Sequence, residues 1–276
     1  MKMILVLMIC CITLVESIFF NLTPSPIVQW KKDPFQDSED ISNEEYPMLD
    51  SIGVQSLVRG ANAIADEWPW IAYIQVESCT KTVKCGGTII KSRYILTSAH
   101  CVKDSYTQTN GNNFLSNNSQ PINVKVVTGI NDIGESDRGH HSTVIKIIRH
   151  TGYKASMGEK SDDDLALLKL TDKLPMIVNE NSRTNILQEL ELKYMSSQDC
   201  NKHSYAKSKG IKLSPNQFCS MQTSPIKGTN RGDSGGPYMC KKDNEWRLVG
   251  VIKMGDTGVS YFMDVRRYEK WIRKNT

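Results

Sequence analysis

Asn230-Arg231-Gly232-Asp233-Ser234-Gly235-Gly236-Pro237 is the stretch on which the reading of this chain turns. Glycines on both sides of one serine let the backbone turn tightly. They also let the amides of Gly232 and Ser234 converge on a single oxygen, as stabilising a tetrahedral anion requires. A glycine-rich surface turn would look the same in isolation, so two further segments matter. Leu96-Thr97-Ser98-Ala99-His100-Cys101 ends an apolar run on a histidine, a side chain able to take and return a hydroxyl proton near neutral pH. Asp162-Asp163-Asp164-Leu165-Ala166-Leu167-Leu168 sets a carboxylate against the start of an apolar run. There Asp164 can be buried and fix the histidine tautomer, while its two acidic neighbours are expected to stay solvated.

Around these segments lie short apolar runs separated by turn residues. Residues 70–76, 87–90, 94–97, 124–127, 144–148, 165–170 and 248–252 read as strands. Many short strands with no helical period between them predict an all-β barrel or sandwich. Tyr268 to Arg273 is the one convincing short helix, and Thr107 to Ser119, rich in Asn, Ser and Thr, reads as an exposed loop. The chain has 276 residues, of which 39% are apolar and 23% charged, and this excludes collagen-like, wholly disordered and coiled-coil chains.

The N-terminus carries its own signals. Met1-Lys2 followed by an apolar run from Met3 to Val15 and the small residues near Ser17 predicts a secretory signal over 1–17, too short for a membrane anchor. Residues 18–56 hold four prolines and seven carboxylates against Lys31 and Lys32, a net of −5, and read as an acidic pro-segment. Since the whole chain is +4 and residues 1–17 are neutral, the body 57–276 carries +9. The acidic leader would neutralise part of that charge, or be only a solvated tail. Secretion puts Cys79, Cys85, Cys101, Cys200, Cys219 and Cys240 in an oxidising compartment, where at least some are expected to pair. It also makes Asn21 and Asn117 glycosylation acceptors.

Ser98-Ala99-His100-Cys101, Asp164-Leu165-Ala166-Leu167-Leu168 and Gly232-Asp233-Ser234-Gly235-Gly236-Pro237 resemble the three site motifs of the chymotrypsin-like (trypsin-like) serine proteases. Trp68-Pro69-Trp70 and Cys85-Gly86-Gly87 are similar to that family as well. The resemblance covers 57–276. It implies two six-stranded antiparallel β-barrels with the site between them, and a secreted serine endopeptidase made as a zymogen. His100 would be the base, Asp164 its orienting partner and Ser234 the nucleophile of an acyl-enzyme mechanism, with Gly232 and Ser234 as the oxyanion hole. It further implies disulfides Cys85–Cys101 and Cys200–Cys219. Peptide or protein substrates and protease inhibitors would be the partners, and no cofactor, metal or nucleic acid is implied.

The chain departs from the family in four respects. His100 and Asp164 are 64 residues apart, and Asp164 and Ser234 are 70. The first interval is about twenty residues longer than usual and the second about twenty shorter. Between Pro175 and Leu187 the Gly-Trp-Gly strand that opens the second barrel is absent, so that barrel is expected to lack a strand. The family's partner for Cys240 goes with it, leaving Cys79 and Cys240 as a pair or, better matched to the template, as two thiols. The activation end falls at Leu57, whose freed ammonium would pair with Asp233, yet Ser56 precedes it, and a tryptic activator does not cut there.

Finally, the substrate pocket would be formed by Gly228, Thr229, Lys253, Met254 and Gly255. Gly228 stands where trypsin-like enzymes carry an aspartate, and Asn230 where the family commonly has a cysteine. Lys253 and Met254 replace a Ser and a Trp. These changes predict a non-tryptic preference for an apolar or small side chain, or for an acidic one through Lys253. The alternative is a catalytically impaired homologue that acts by binding. Polyanion binding through Arg266, Arg267, Lys270, Arg273 and Lys274 is a minor reading, since a charged helix is ordinarily a solvated face.

Overall fold

The computed structural model describes residues 68–77, 81–103, 123–130, 133–174, 187–221, 228–229, 232–242, 245–256 and 258–276, together with the backbone of 21–22 and 61–62. Leu57, Cys79, Asn117, Asn230, the 107–119 loop and residues 175–186 lie outside the described residues, as does the side chain of Asn21.

Among the described residues fourteen strands follow one another in sequence. The first eight are Asn21–Leu22 (β1), Ala61–Asn62 (β2), Ile71–Glu77 (β3), Thr82–Lys91 (β4), Tyr94–Thr97 (β5), Asn123–Thr128 (β6), His140–Arg149 (β7) and Ala166–Leu170 (β8). The remaining six are Gln188–Glu189 (β9), Met195–Ser196 (β10), Gln217–Met221 (β11), Pro237–Lys242 (β12), Glu245–Asp256 (β13) and Val259–Asp264 (β14). Helices Ser197–Lys202 (α1), Ser204–Ser208 (α2) and Glu269–Asn275 (α3) complete the set. The expected C-terminal helix thus begins as a 3₁₀ turn, Val265–Tyr268, and continues as α3.

Strands β3-β4-β5-β8-β7-β6 close into an antiparallel barrel. Closure leaves no edge with unpaired backbone groups. In β6, Val124 and Val126 point in while Asn123 and Lys125 point out, the alternation of a half-buried strand. Lys125 is ion-paired to Glu77 of β3 at 2.9 Å. The barrel interior is filled by Ala72, Ile74, Val76, Ile95, Val126, Leu168 and Leu170.

The second unit is a sheet in the order β13-β14-β11-β10, with β12 also paired to β13. Near the N-terminus, Asn21 and Leu22 of β1 pair with Arg247 and Trp246 of β13. Among the described residues this sheet does not close, which agrees with a second barrel short of one strand. Its interior is aromatic. Phe218 stacks on Phe262 with centroids 4.9 Å apart and meets Tyr238 edge-on at 4.9 Å. Each such pair contributes about 0.5–1.5 kcal/mol beyond its buried area, which helps hold an open sheet together.

A shared core lies between the units. Trp68, Trp70, Leu96, Leu165 and Leu167 meet Met239, Trp246, Leu248, Val251, Met263 and Ile272 there. This apolar seam fixes the end of β5 against β12 and β13, where the three motif segments are found.

Candidate active site

His100 lies on the 3₁₀ turn Ala99–Val102 that follows β5. Asp164 lies just before β8 and is completely buried. The carboxylate grips the histidine at two points: Oδ1 accepts from the His100 backbone N–H at 2.8 Å, and Oδ2 lies 2.6 Å from Nδ1. A carboxylate only accepts, so this contact assigns the proton to Nδ1 and leaves the lone pair on Nε2. The disulfide Cys85–Cys101 ties the same turn to β4. Cys200–Cys219 ties α1 to β11.

The serine segment is pinned to both units. The Ser234 carbonyl accepts from the Gly86 N–H of β4 at 2.8 Å, and the Gly235 N–H donates to Ile252 O of β13 at 2.8 Å. Such closeness requires glycine. A Cβ on Gly86 would lie 2.9 Å from the backbone of Gly236, and Gly235, at φ +85°, would drive a Cβ to 2.2 Å from Thr97 Oγ1. The His100 ring and the Ser234 backbone carbonyl both border one sulfur, while among the described residues Ser234 Oγ makes no hydrogen bond to His100. Cys101 Sγ lies 3.8 Å from His100 Nε2 and 3.7 Å from the Ser234 carbonyl oxygen. Ser234 Oγ is 3.5 Å from the Lys253 carbonyl oxygen. Gly232 has φ +103° with open space beside it. Among the described residues the amides of Gly232 and Ser234 engage no protein acceptor. Asp233 is buried.

Several supporting residues carried no sequence signal for their roles. Ser98 donates to Ile252 O at 2.7 Å and Thr97 to Gly86 O at 2.8 Å, stitching β5 to both strands that hold the serine turn. Asp163 departs from the expected solvated state. It accepts from Tyr268 OH at 2.8 Å and lies 3.8 Å from His150 Nδ1, because 3₁₀ turn Val265–Tyr268 folds back onto this loop. Burial and this carboxylate push the Tyr268 hydroxyl well above the usual tyrosine range. Desolvation outweighs the pull of Asp163 at His150 and lowers its pKa.

At the expected pocket, Thr229 is buried and its N–H donates to Ser260 Oγ of β14 at 2.9 Å. A Cβ on Gly255 would lie 2.1 Å from the Thr229 carbonyl oxygen, so the 228–229 and 253–255 segments are in direct contact at this level. Lys253 is only 3% exposed. Desolvation pushes its ammonium below the usual lysine range, and the carboxylates of Asp164, Asp162, Glu159 and Asp163 oppose that, Asp164 most strongly. Cys240 is buried in the aromatic cluster of the second sheet.

A closed antiparallel barrel and a second β-sheet, meeting where a histidine held by a buried aspartate adjoins a glycine-flanked serine, define the architecture of the two-barrel serine proteases. The chain belongs to the trypsin family: the family's model, described as Trypsin, matches residues 57–181 and 176–272. The two matched stretches overlap over 176–181, inside the interval between Pro175 and Leu187 whose sequence holds no Gly-Trp-Gly. Among curated relatives, the chain is 26% identical over 263 residues to venom serine protease Bi-VSP of Bombus ignitus, an alignment covering 78% of this chain and 67% of that protein. It is 27% identical to coagulation factor XI of Bos taurus, over 80% of this chain and 38% of the relative. It is 28% identical to CLIP domain-containing serine protease B9 of Anopheles gambiae, over 82% and 64%. The chain thus spans about two thirds or less of the length of these relatives.

Proposed function

We propose that this chain is a secreted serine endopeptidase made as a zymogen, with 1–17 as signal, 18–56 as pro-segment and 57–276 as protease domain. Ser234 Oγ attacks the peptide carbonyl carbon as His100 Nε2 takes its proton. Asp164 holds the resulting imidazolium, and the amides of Gly232 and Ser234 face the oxyanion. Collapse of the tetrahedral species expels the amine, which receives the proton from His100 and leaves an acyl ester on Ser234. Water, deprotonated by His100, hydrolyses the ester and restores the hydroxyl. The observation that carries this reading is the two-point grip of Asp164 on His100, beside the turn that presents Ser234. Gly228 at the pocket floor supplies no charge for a Lys or Arg side chain, which supports a non-tryptic preference.

The contact between Thr229 and Gly255 favours a second reading, a homologue that binds without cutting, because a side chain cannot pass between segments already touching. Pairing of a new Leu57 ammonium with Asp233 would be the event that opens them. The family's disulfide framework, the proposed signal and acceptor sites at Asn21 and Asn117 fit an extracellular glycoprotein. Incubating the secreted chain, trimmed to begin at Leu57, with a randomised peptide library tests the reading. Cleavage after apolar or small residues that vanishes in Ser234→Ala supports the enzyme. An intact library with well-folded protein supports the binder.

A further inference from the structure

The backbone that carries Asp164 is fixed at both ends. Leu165 N donates to Asp163 O at 2.9 Å, so Asp164 is the middle residue of a three-residue turn closed by its own hydrogen bond. The Leu165 end is held within the first barrel, where its carbonyl accepts from His150 N at 2.9 Å. The Asp163 end is held by the other unit. Tyr268 OH donates to Asp163 Oδ1 at 2.8 Å, and Asn216 Nδ2 approaches the same oxygen at 3.4 Å. One residue earlier, the Asp162 carbonyl accepts from Gln217 Nε2 at 3.2 Å.

All three donors belong to the second unit: Asn216 precedes β11, Gln217 opens it, and Tyr268 ends the 3₁₀ turn that follows β14. The Asp163 carboxylate has little room to swing away from them, since a Cβ on Gly152 would lie 2.1 Å from its Oδ2. Tyr268 is equally constrained. Its ring is buried in the core between the units, with Leu165, Met263 and Ile272, and meets the His150 ring edge-on at 5.0 Å. A rigid arm thus delivers the hydroxyl, and a hydrogen bond to a carboxylate is stronger than one between neutral groups.

His100 and Asp164 come from the first unit and Ser234 from the second, so the joint between the units decides how the histidine faces the serine. Resting on the catalytic reading given above, we propose that Tyr268 and Asp163 are positioning residues, a clamp from the second unit that aims Asp164 at His100. Asp164 holds the histidine by two short contacts, 2.8 Å to the backbone N–H and 2.6 Å to Nδ1. Tilting its turn lengthens one or both, and misplacement of a catalytic group lowers the rate steeply. The clamp touches no reacting atom and acts only through Asp164.

Tyr268→Phe keeps the ring in the core and deletes only the hydroxyl. In the chain trimmed to Leu57, reaction of Ser234 with a fluorophosphonate, which reports an activated serine, is expected to slow about tenfold. Asp163→Ala removes the other end of the bond and is expected to slow it as much, with the double variant no slower, because the two groups share one interaction. In an Asp164→Ala background Tyr268→Phe is expected to cost less than about twofold, whereas a loss through general loosening would persist there. NMR of the full secreted chain supplies a readout that needs no activity. The His100 Nδ1–H proton, deshielded by its 2.6 Å contact with Asp164, is expected to move upfield in Tyr268→Phe and in Asp163→Ala. A resonance that stays in place in both variants, or a loss of labelling as large without Asp164 as with it, would overturn the proposal. If the folded wild type never labels, the catalytic reading fails, and the resonance alone decides whether the clamp aims Asp164.

Discussion

Gly235→Ala probes the join between the serine turn and the histidine strand. At φ +85° an L side chain is strained, costing about 1–2 kcal/mol. The added Cβ would also lie 2.2 Å from Thr97 Oγ1, 2.3 Å from Gly86 O and 3.1 Å from Ser98 N. The first two contacts are about 1 Å or more inside normal separation. Neither neighbour is a loose chain end, since Thr97 Oγ1 is buried and donates to Gly86 O. Overpacking of this kind costs about 1–3 kcal/mol, so the total is about 3 kcal/mol, or a fall in Tm of about 6–12 °C. Gly210→Ala supplies the control: φ is +65° there, with nothing within 4 Å, and the expected cost is about 1 kcal/mol. Calorimetry of the two variants reads the difference. Fluorophosphonate labelling should fall about a hundredfold in Gly235→Ala alone, because the turn must back away from β5. Equal losses of stability in the two variants would refute the close approach on which the site depends.

The Cys85–Cys101 bridge closes a loop with a sequence separation of 16, and replacing both by Ala should cost about 3 kcal/mol in urea unfolding. Labelling should fall further than stability alone accounts for, since the bridge also holds the His100 turn. His150 is depressed by burial, so its folded pKa lies below the unfolded 6.5. Its contribution is fully present above that value and is lost as pH falls below it, when the unfolded chain takes up a proton that the folded one resists. Urea unfolding between pH 7 and 5, compared with His150→Gln, should show part of the acid-side loss removed in the variant, and parallel curves would contradict the burial.

The first barrel was legible because its strands are apolar runs bounded by turn residues, as at Tyr94–Thr97 and Ala166–Leu170. The second unit was much less so. Of its strands only the centre of β13 stands out, while Gln217–Met221 and Pro237–Lys242 mix polar, sulfur-containing and aromatic residues whose burial comes from the Phe218–Tyr238–Phe262 cluster. Helices α1 and α2, six and five residues long, are too short to show a helical period. His100, Asp164 and Ser234 could be picked out because their chemistry needs distinctive neighbours. The burial of Lys253 could not, since a bulge depends on register with β14, which no local pattern records.

The central claim is that His100, Asp164 and Ser234 act as one unit. Its most direct measurement is mass-spectrometric mapping of the fluorophosphonate adduct on the folded chain trimmed to Leu57. The account predicts a single adduct on the peptide containing Ser234, formed on the order of 10³-fold or more slowly in His100→Ala. An adduct on another residue, or labelling of Ser234 indifferent to the loss of His100, would contradict it.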